Sequence, residues 1–261
     1  RPANKELLDY LAATFVENGW SIKKLHRLIL LSNTYQQSSA FNPEAEKADP
    51  QDKLVWRYNR HRLEGEVVRD AALEVSGRLN LKMGGPGVFP PLPPGVETRG
   101  GWKKDEDPSE AARRSVYIFV RRNTRYPMLE IFDMPDTHES CGRRNSTVTA
   151  PQALELLNND LVLDWARSFA GRVLNDKGLT PEEQVDRAWK LAFSRTPTEA
   201  ERKMALSWLD QHTPILAGRL AKNDHPPMPE NLPSGVEPAR AAAMVDLCHM
   251  LLNSNEFVYV N

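Results

Sequence analysis

The chain is poor in the features that assign a chemistry at sight. Its 261 residues hold two cysteines, Cys141 and Cys248. That is too few for a disulfide framework, their pairing does not follow from spacing, and no compartment can be read from them. No apolar run approaches the roughly eighteen residues that span a bilayer; the longest, around Leu28 to Leu31, is a few residues long. Neither sign of charge is in excess: 34 basic and 35 acidic residues leave a formal net charge of -1. This balance excludes a general nucleic-acid or anionic-membrane binder, whose affinity comes from summed positive charge, and leaves only local patches. There is no G-x-S-x-G elbow, phosphate loop, dinucleotide-binding glycine motif or Cys-x-x-Cys-His haem site. No motif supports catalysis, and the sequence predicts neither a cofactor nor a metal. The chain opens on Arg1-Pro2 with no signal-like segment, so it reads as a piece of a longer or processed protein.

What is present is a folded composition, 40% hydrophobic and 26% charged, in a chain long enough for a sizeable core. In NKELLDYLAATFVENG the residues Leu7, Leu8, Leu11, Phe15 and Val16 recur at helical spacing and Gly19 supplies a stop. Ser21 caps a second helix with Ile22, Leu25, Leu28 and Ile29 on one side, and the short turn predicts a helical hairpin. Residues 36–53 read as a loop, and Leu63, Val67 and Val75 suit a helix ending near Gly77 or beyond Asn80. Residues 83–101 hold six glycines and five prolines, a density that forbids helix and ladder alike. Residues 114–120, RSVYIFV, are β-branched and aromatic on both faces and predict a buried strand.

The second half is helical, with start signals at Thr149-Ala150-Pro151-Gln152, Thr180-Pro181-Glu182-Glu183 and Thr196-Pro197-Thr198-Glu199. Each sets a threonine at an N-cap position and Glu or Gln three residues on, the pattern of a capping box. Met204, Leu206, Trp208 and Leu209 then predict an apolar face. After a second proline-rich loop, Met244, Leu247, Cys248 and Leu251 mark the core side of a last helix, with Cys248 a buried thiol. The fold class is therefore mainly α: a multi-helix domain over residues 1–261 with a small β element around 114–120 and long Pro/Gly-rich loops. Its sub-lobes are expected at 1–82 and 102–261, divided by the loop 83–101.

Residues 113–152 contain seven arginines and no lysine. Arginine presents a planar fork that holds carboxylate, sulfate or phosphate by two parallel bonds, and it tolerates partial burial better than lysine. Arg121, Arg122, Arg125, Arg143 and Arg144, completed by Asn145 and by Gln152 in a helix's first turn, therefore form a candidate anion site. The competing expectation is that Arg122 or Arg125 pairs with Glu130, Asp133 or Asp136 and ties the fold together. Asp133, Asp136, His138, Glu139 and Cys141 lie close in sequence but lack matched Cys or His pairs, so they read as a polar loop rather than a metal site. Glu64, Glu66, Arg69 and Asp70 suit a charge-laced helix start, with an acid/base couple as the alternative. His26 and His249 read as structural histidines.

Several of these segments together carry a family resemblance: the opening NKELLDYLAATFVENGWSIKKLHRLILLSNTYQQSS, RHRLEGEVVRDAALEVSGRLN with MGGPGVFP, RRSVYIFVRRNTRYPMLEIFDMPD followed by RRNSTVTAPQALELLN, and the closing DLCHMLLNSNEFVYV. They resemble the DUF1553 or PSD1 family of planctomycete-type multidomain proteins. The resemblance implies a C-terminal position after a DUF1549-like domain, often with a cytochrome c domain upstream, and an extracytoplasmic location in the periplasm or at the cell surface. It supplies no catalytic residues. Together these readings predict a non-catalytic binding module for neighbouring domains or an acidic or sulfated glycan. The alternatives are a hydrolase or redox component acting on polysaccharide-derived substrates, and a scaffold that docks through an apolar patch on the N-terminal helices.

Overall fold

A computed structural model describes residues 2–93, 95–96, 101–122, 124–176 and 178–260. The chain divides into two compact units, Arg1–His61 with Tyr259–Asn261, and Arg62–Val258.

The first unit contains α1 (Lys5–Glu17), α2 (Ile22–Leu30) and α3 (Pro43–Ala48). Asn4 caps α1 by accepting from the Leu7 amide, Ser21 caps α2 and Asn42 caps α3. Between α1 and α2 the Gly19 and Trp20 amides donate back to the Val16 and Phe15 carbonyls, closing the helix end as the sequence predicts. Both turn residues have positive φ, 69° at Gly19 and 59° at Trp20. Glycine adopts that conformation freely, whereas a bulky aromatic residue there is strained. The hairpin forms, but no residue of this unit is buried among those described.

The second unit holds the core. Its helices are α4 (Gly65–Ser76), α5 (Pro108–Ala111), α6 (Pro127–Ile131), α7 (Ala150–Asn158), α8 (Asp160–Leu174), α9 (Pro181–Phe193), α10 (Glu199–Ala221), α11 (Pro238–Leu252) and α12 (Asn255–Val258). The centre is α8, packed on α4, α7, α9 and α11. Val162, Trp165, Ala166, Phe169, Ala170 and Val173 are buried at the spacing of one helical stripe. Opposite them α11 is buried on nearly every side, Cys248 included, as its alanine-rich sequence allows. Gly65 brings α4 close to α6: a Cβ built there would lie 2.7 Å from the Phe132 Cβ.

The fold is mainly α, as expected, and three expectations shift in detail. The strands β1 (His61–Arg62) and β2 (Tyr259–Val260) form a two-stranded sheet. Residues 114–120 form no named strand; Ser115–Tyr117 make a 3-10 turn and one isolated bridge joins Ile118 to Val88. The Ser115 amide and hydroxyl both donate to Asp70 Oδ1 at 2.7 Å, so a side chain of α4 takes a backbone donor that a ladder would use, and the Tyr117 and Ile118 amides turn back onto the Arg114 and Ser115 carbonyls. α10 begins at Glu199 rather than after Thr196, because Thr198 also has a glutamate three residues on and forms its capping box with Glu201. Its core stripe is Ala205, Leu209 and Leu216, and Met204 is exposed. Of the expected loop 83–101, residues 83–93 belong to the larger unit, while residues 94 and 97–100 lie outside the described residues; Cys141 and Cys248 are both free.

Candidate functional site

Most arginines of the second unit are engaged by the fold. Arg113 is fully buried and donates to the carbonyls of Lys82, Gly84 and Pro86 and to Glu110, with its guanidinium 3.9 Å from the centre of the Tyr117 ring. It thereby holds the glycine-rich turn at 82–86, the segment that resembles a phosphate cradle only in composition. Arg69 on α4 donates to the carbonyls of Arg113 and Ala111 and to the Ser115 hydroxyl. Burial pushes its pKa down and that of Tyr126 up, and their mutual attraction opposes both shifts.

A second knot joins Arg62, Asp133, Thr147 and Gln152. Arg62 donates to the Thr147 carbonyl at 2.9 Å and to the Asp133 carboxylate. Asp133, at φ 64°, also accepts from the Thr147 amide and hydroxyl, both at 2.8 Å. Burial alone would raise the Asp133 pKa, but those bonds and the Arg62 charge together hold it below the usual carboxylate range. Gln152 is buried; its amide oxygen accepts from the Thr149 amide, and its nitrogen donates to the Ile131 carbonyl and the Thr147 hydroxyl. No donor of Gln152 is left for a ligand at the start of α7.

Arg114, Arg125 and Arg144 line a cleft of about 460 Å³ between the start of α4, residues 114–120 and residues 125–137. Arg144 bridges Glu64 at 3.1 Å and Glu66 at 2.8 Å, and the bond from Glu66 comes first among the causes that raise its pKa. Arg125 lies 3.7 Å from Glu130 and 3.1 Å from Asp136. Arg114 lies 3.8 Å from Asp70. Hydrogen bonds from His138, amide first, hold the Asp136 pKa low. Val67, Ile118, Phe119 and Leu129 form the floor. Arg121 sits against Gly101, where an added Cβ would lie 2.6 Å from its Nη1.

The predicted anion residues therefore do not converge on one point. Arg125 and Arg144 line this cleft, whereas Arg143 and Asn145 line a neighbouring depression of about 450 Å³ that also holds Glu139 and Cys141. Arg122 and Arg143 are exposed and make no ion pair among the described residues. No group of three metal-ligating side chains gathers among the described residues. The sequence brings Arg62 and Thr147 to notice in separate polar clusters but does not reveal the contacts of Arg62 with Asp133 and Thr147 or of Asp70 with Ser115, because partners 71, 85 or 45 positions apart leave no periodic signal. His249, read as structural, makes a 3.1 Å contact with the Leu156 carbonyl.

On the far side of the unit, Arg195 holds two carboxylates at once, Glu256 and Glu201, with contacts of 2.6 to 2.9 Å. The Arg195 bonds, followed by the Thr198 amide, hold the Glu201 pKa at about 2 against an ordinary 4.5. A depressed carboxylate stabilises the fold above its unfolded value, and that contribution is lost as pH falls from about 4.5 towards 2. Urea midpoints measured down this range are expected to fall more steeply for the native chain than for Glu201→Gln, which has no such group to protonate.

The family model described as PSD1, protein of unknown function (DUF1553), matches residues 1–209. No curated protein and no solved structure matches the chain.

Proposed function

The chain belongs to the PSD1 family of unknown function (DUF1553), and from that premise we propose that it is a non-catalytic interaction module of a larger extracytoplasmic polypeptide, docking a neighbouring domain through its first unit. The observation that carries this reading is the missing core of Arg1–His61. Leu7, Leu8, Val16, Ile22, Leu30 and Leu31 are all exposed, although their spacing is that of an apolar helix face. A unit of this size with no fully buried residue among those described has little gain to set against its conformational entropy, and exposed apolar side chains in such number mark an interaction site. No helix of the described residues is long and apolar enough to cross a membrane. The occupant proposed is the DUF1549-like domain that the resemblance places upstream.

Trp20 supports the same reading. Its ring is 67% exposed and edge-on to Phe15, on a backbone whose left-handed conformation costs a non-glycine residue about 1–2 kcal/mol. Strain held by an exposed aromatic residue suits an anchor, the kind of residue that dominates binding energies. Titrating the chain with the separately expressed neighbouring domain tests this. Trp20→Gly is expected to weaken docking by about 2 kcal/mol or more while leaving α1 and α2 no less stable. Equal affinities for the native chain and the variant would remove Trp20 as the anchor.

A second reading, an anionic ligand such as an acidic or sulfated glycan, is favoured only by Arg122 and Arg143, which are exposed without an ion pair among the described residues. The charges of Arg125 and Arg144 are already balanced by carboxylates. The enzymatic alternative finds less support. Asp133 and Asp136 are held below the usual range, so at neutral pH they are charged and hydrogen-bonded rather than poised as proton donors.

A further inference from the structure

The cleft at the start of α4 lies in the second unit and its reading is independent of the docking unit. Its charged groups are matched by charge more than by hydrogen bond. Arg125 and Arg114 stand at ion-pair distance from Asp136 and Asp70 but make no hydrogen bond to them, which leaves their N–H donors available. Arg144 engages its carboxylates through Nη1 alone, leaving Nε and Nη2. On the acceptor side, Asp70 Oδ1 is taken by Ser115, whereas Oδ2 has only the distant Arg114 among the described residues. The Thr137 hydroxyl, also on the lining, is buried without a partner among the described residues. Donors and acceptors are thus set side by side, each short of a bond.

That pattern selects a ligand class. An anion satisfies guanidinium groups but meets Glu64, Glu66, Asp70 and Asp136 on the same walls, and a cation meets three arginines. A hydroxyl is donor and acceptor at once, so it can accept from a guanidinium while donating to the carboxylate beside it. A ligand with several hydroxyls on a rigid ring does this at several pairs together. The apolar lining supplies the other requirement. Phe119 is stacked on Phe89 at 4.9 Å, yet it remains half exposed and lines the cleft beside Val116 and Val120, a surface for the C–H face of a sugar ring. The volume of about 460 Å³ is in the range of small-ligand sites.

We infer that this cleft binds a neutral saccharide, with hydroxyls bridging Arg125 to Asp136 and Arg114 to Asp70 and a ring face resting on Phe119. The test is calorimetric titration of the whole chain with cellotriose, maltotriose and xylotriose, and with a heparin-derived oligosaccharide as the anionic comparator, at low and high salt. Saturable binding of at least one neutral trisaccharide, little changed by salt, is expected. Phe119→Ala and Arg125→Gln are each expected to weaken it about tenfold or more. Both positions are partly exposed, and an unchanged melting temperature for Arg125→Gln separates lost binding from lost fold even if Phe119→Ala disturbs the stack on Phe89. Absence of saturable binding by all three neutral sugars would overturn the inference. So would binding confined to the anionic sugar and abolished by salt, or neutral binding that both variants retain.

Discussion

Arg113→Ala is expected to lower the unfolding free energy of the larger unit by about 3–5 kcal/mol, the range for removing one partner from a buried charged network. The side chain is fully buried, and its removal strands the Lys82, Gly84 and Pro86 carbonyls and the face of Tyr117 together. A buried acceptor left unpaired costs about 1–3 kcal/mol; these three lie part-buried in an exposed turn, so they cost less each and do not add, because one relaxation of the turn can rehydrate them together. Arg113→Lys should rescue little. A lysine ammonium is a point donor and cannot reproduce the planar fork that reaches three carbonyls while stacking on a ring. Arg122→Ala, at an exposed position without an ion pair among the described residues, is the control and is expected within about 0.5 kcal/mol of the native chain. Denaturant unfolding followed by a probe inside the second unit checks all three.

Phe169→Ala is the second large effect, also expected to cost about 3–5 kcal/mol. Phe169 has no exposed surface at the middle of α8, whose neighbours α4, α9 and α11 are fixed by their own packing and leave the cavity little room to collapse. The instructive comparison is Leu31→Ala. Leucine truncation in a core costs about 2–5 kcal/mol, but Leu31 is 61% exposed, so in the isolated chain the same change is expected to stay within about 0.5 kcal/mol. The two substitutions together distinguish a unit stabilised by its own core from one that depends on an outside surface.

The extent to which this was legible varies with the range of the interactions. Helices with local signals were: the boxes at Thr180 and Thr149, the Gly77 stop at φ 77°, and the Met244–Leu251 stripe all appear where spacing and capping chemistry place them. Thr198 shows the limit of local signals, because two overlapping Thr-x-x-Glu patterns compete and only the structure shows which glutamate bonds back. RSVYIFV has the composition of a buried strand, yet Val116 is exposed and Ser115 is pinned by Asp70, a residue 45 positions earlier. Composition could not report that contact. The arginine cluster is visible as a cluster, but its division into the Arg113 clamp and the cleft walls depends on partners spread from Glu64 to Asp136. Most telling is α1, whose apolar periodicity correctly predicts a helix and says nothing of what its apolar face meets.

Hydrogen–deuterium exchange on the isolated chain separates the two units, because amide protection reports local opening free energies segment by segment. Amides of α1 and α2 are expected to exchange close to the rate of unprotected chain while those of α8 and α11 are protected up to the global stability, and adding the neighbouring domain is expected to slow α1 and α2 selectively. Protection of α1 and α2 equal to that of α8 in the isolated chain would contradict docking through the first unit, since a unit so protected needs no partner to complete it.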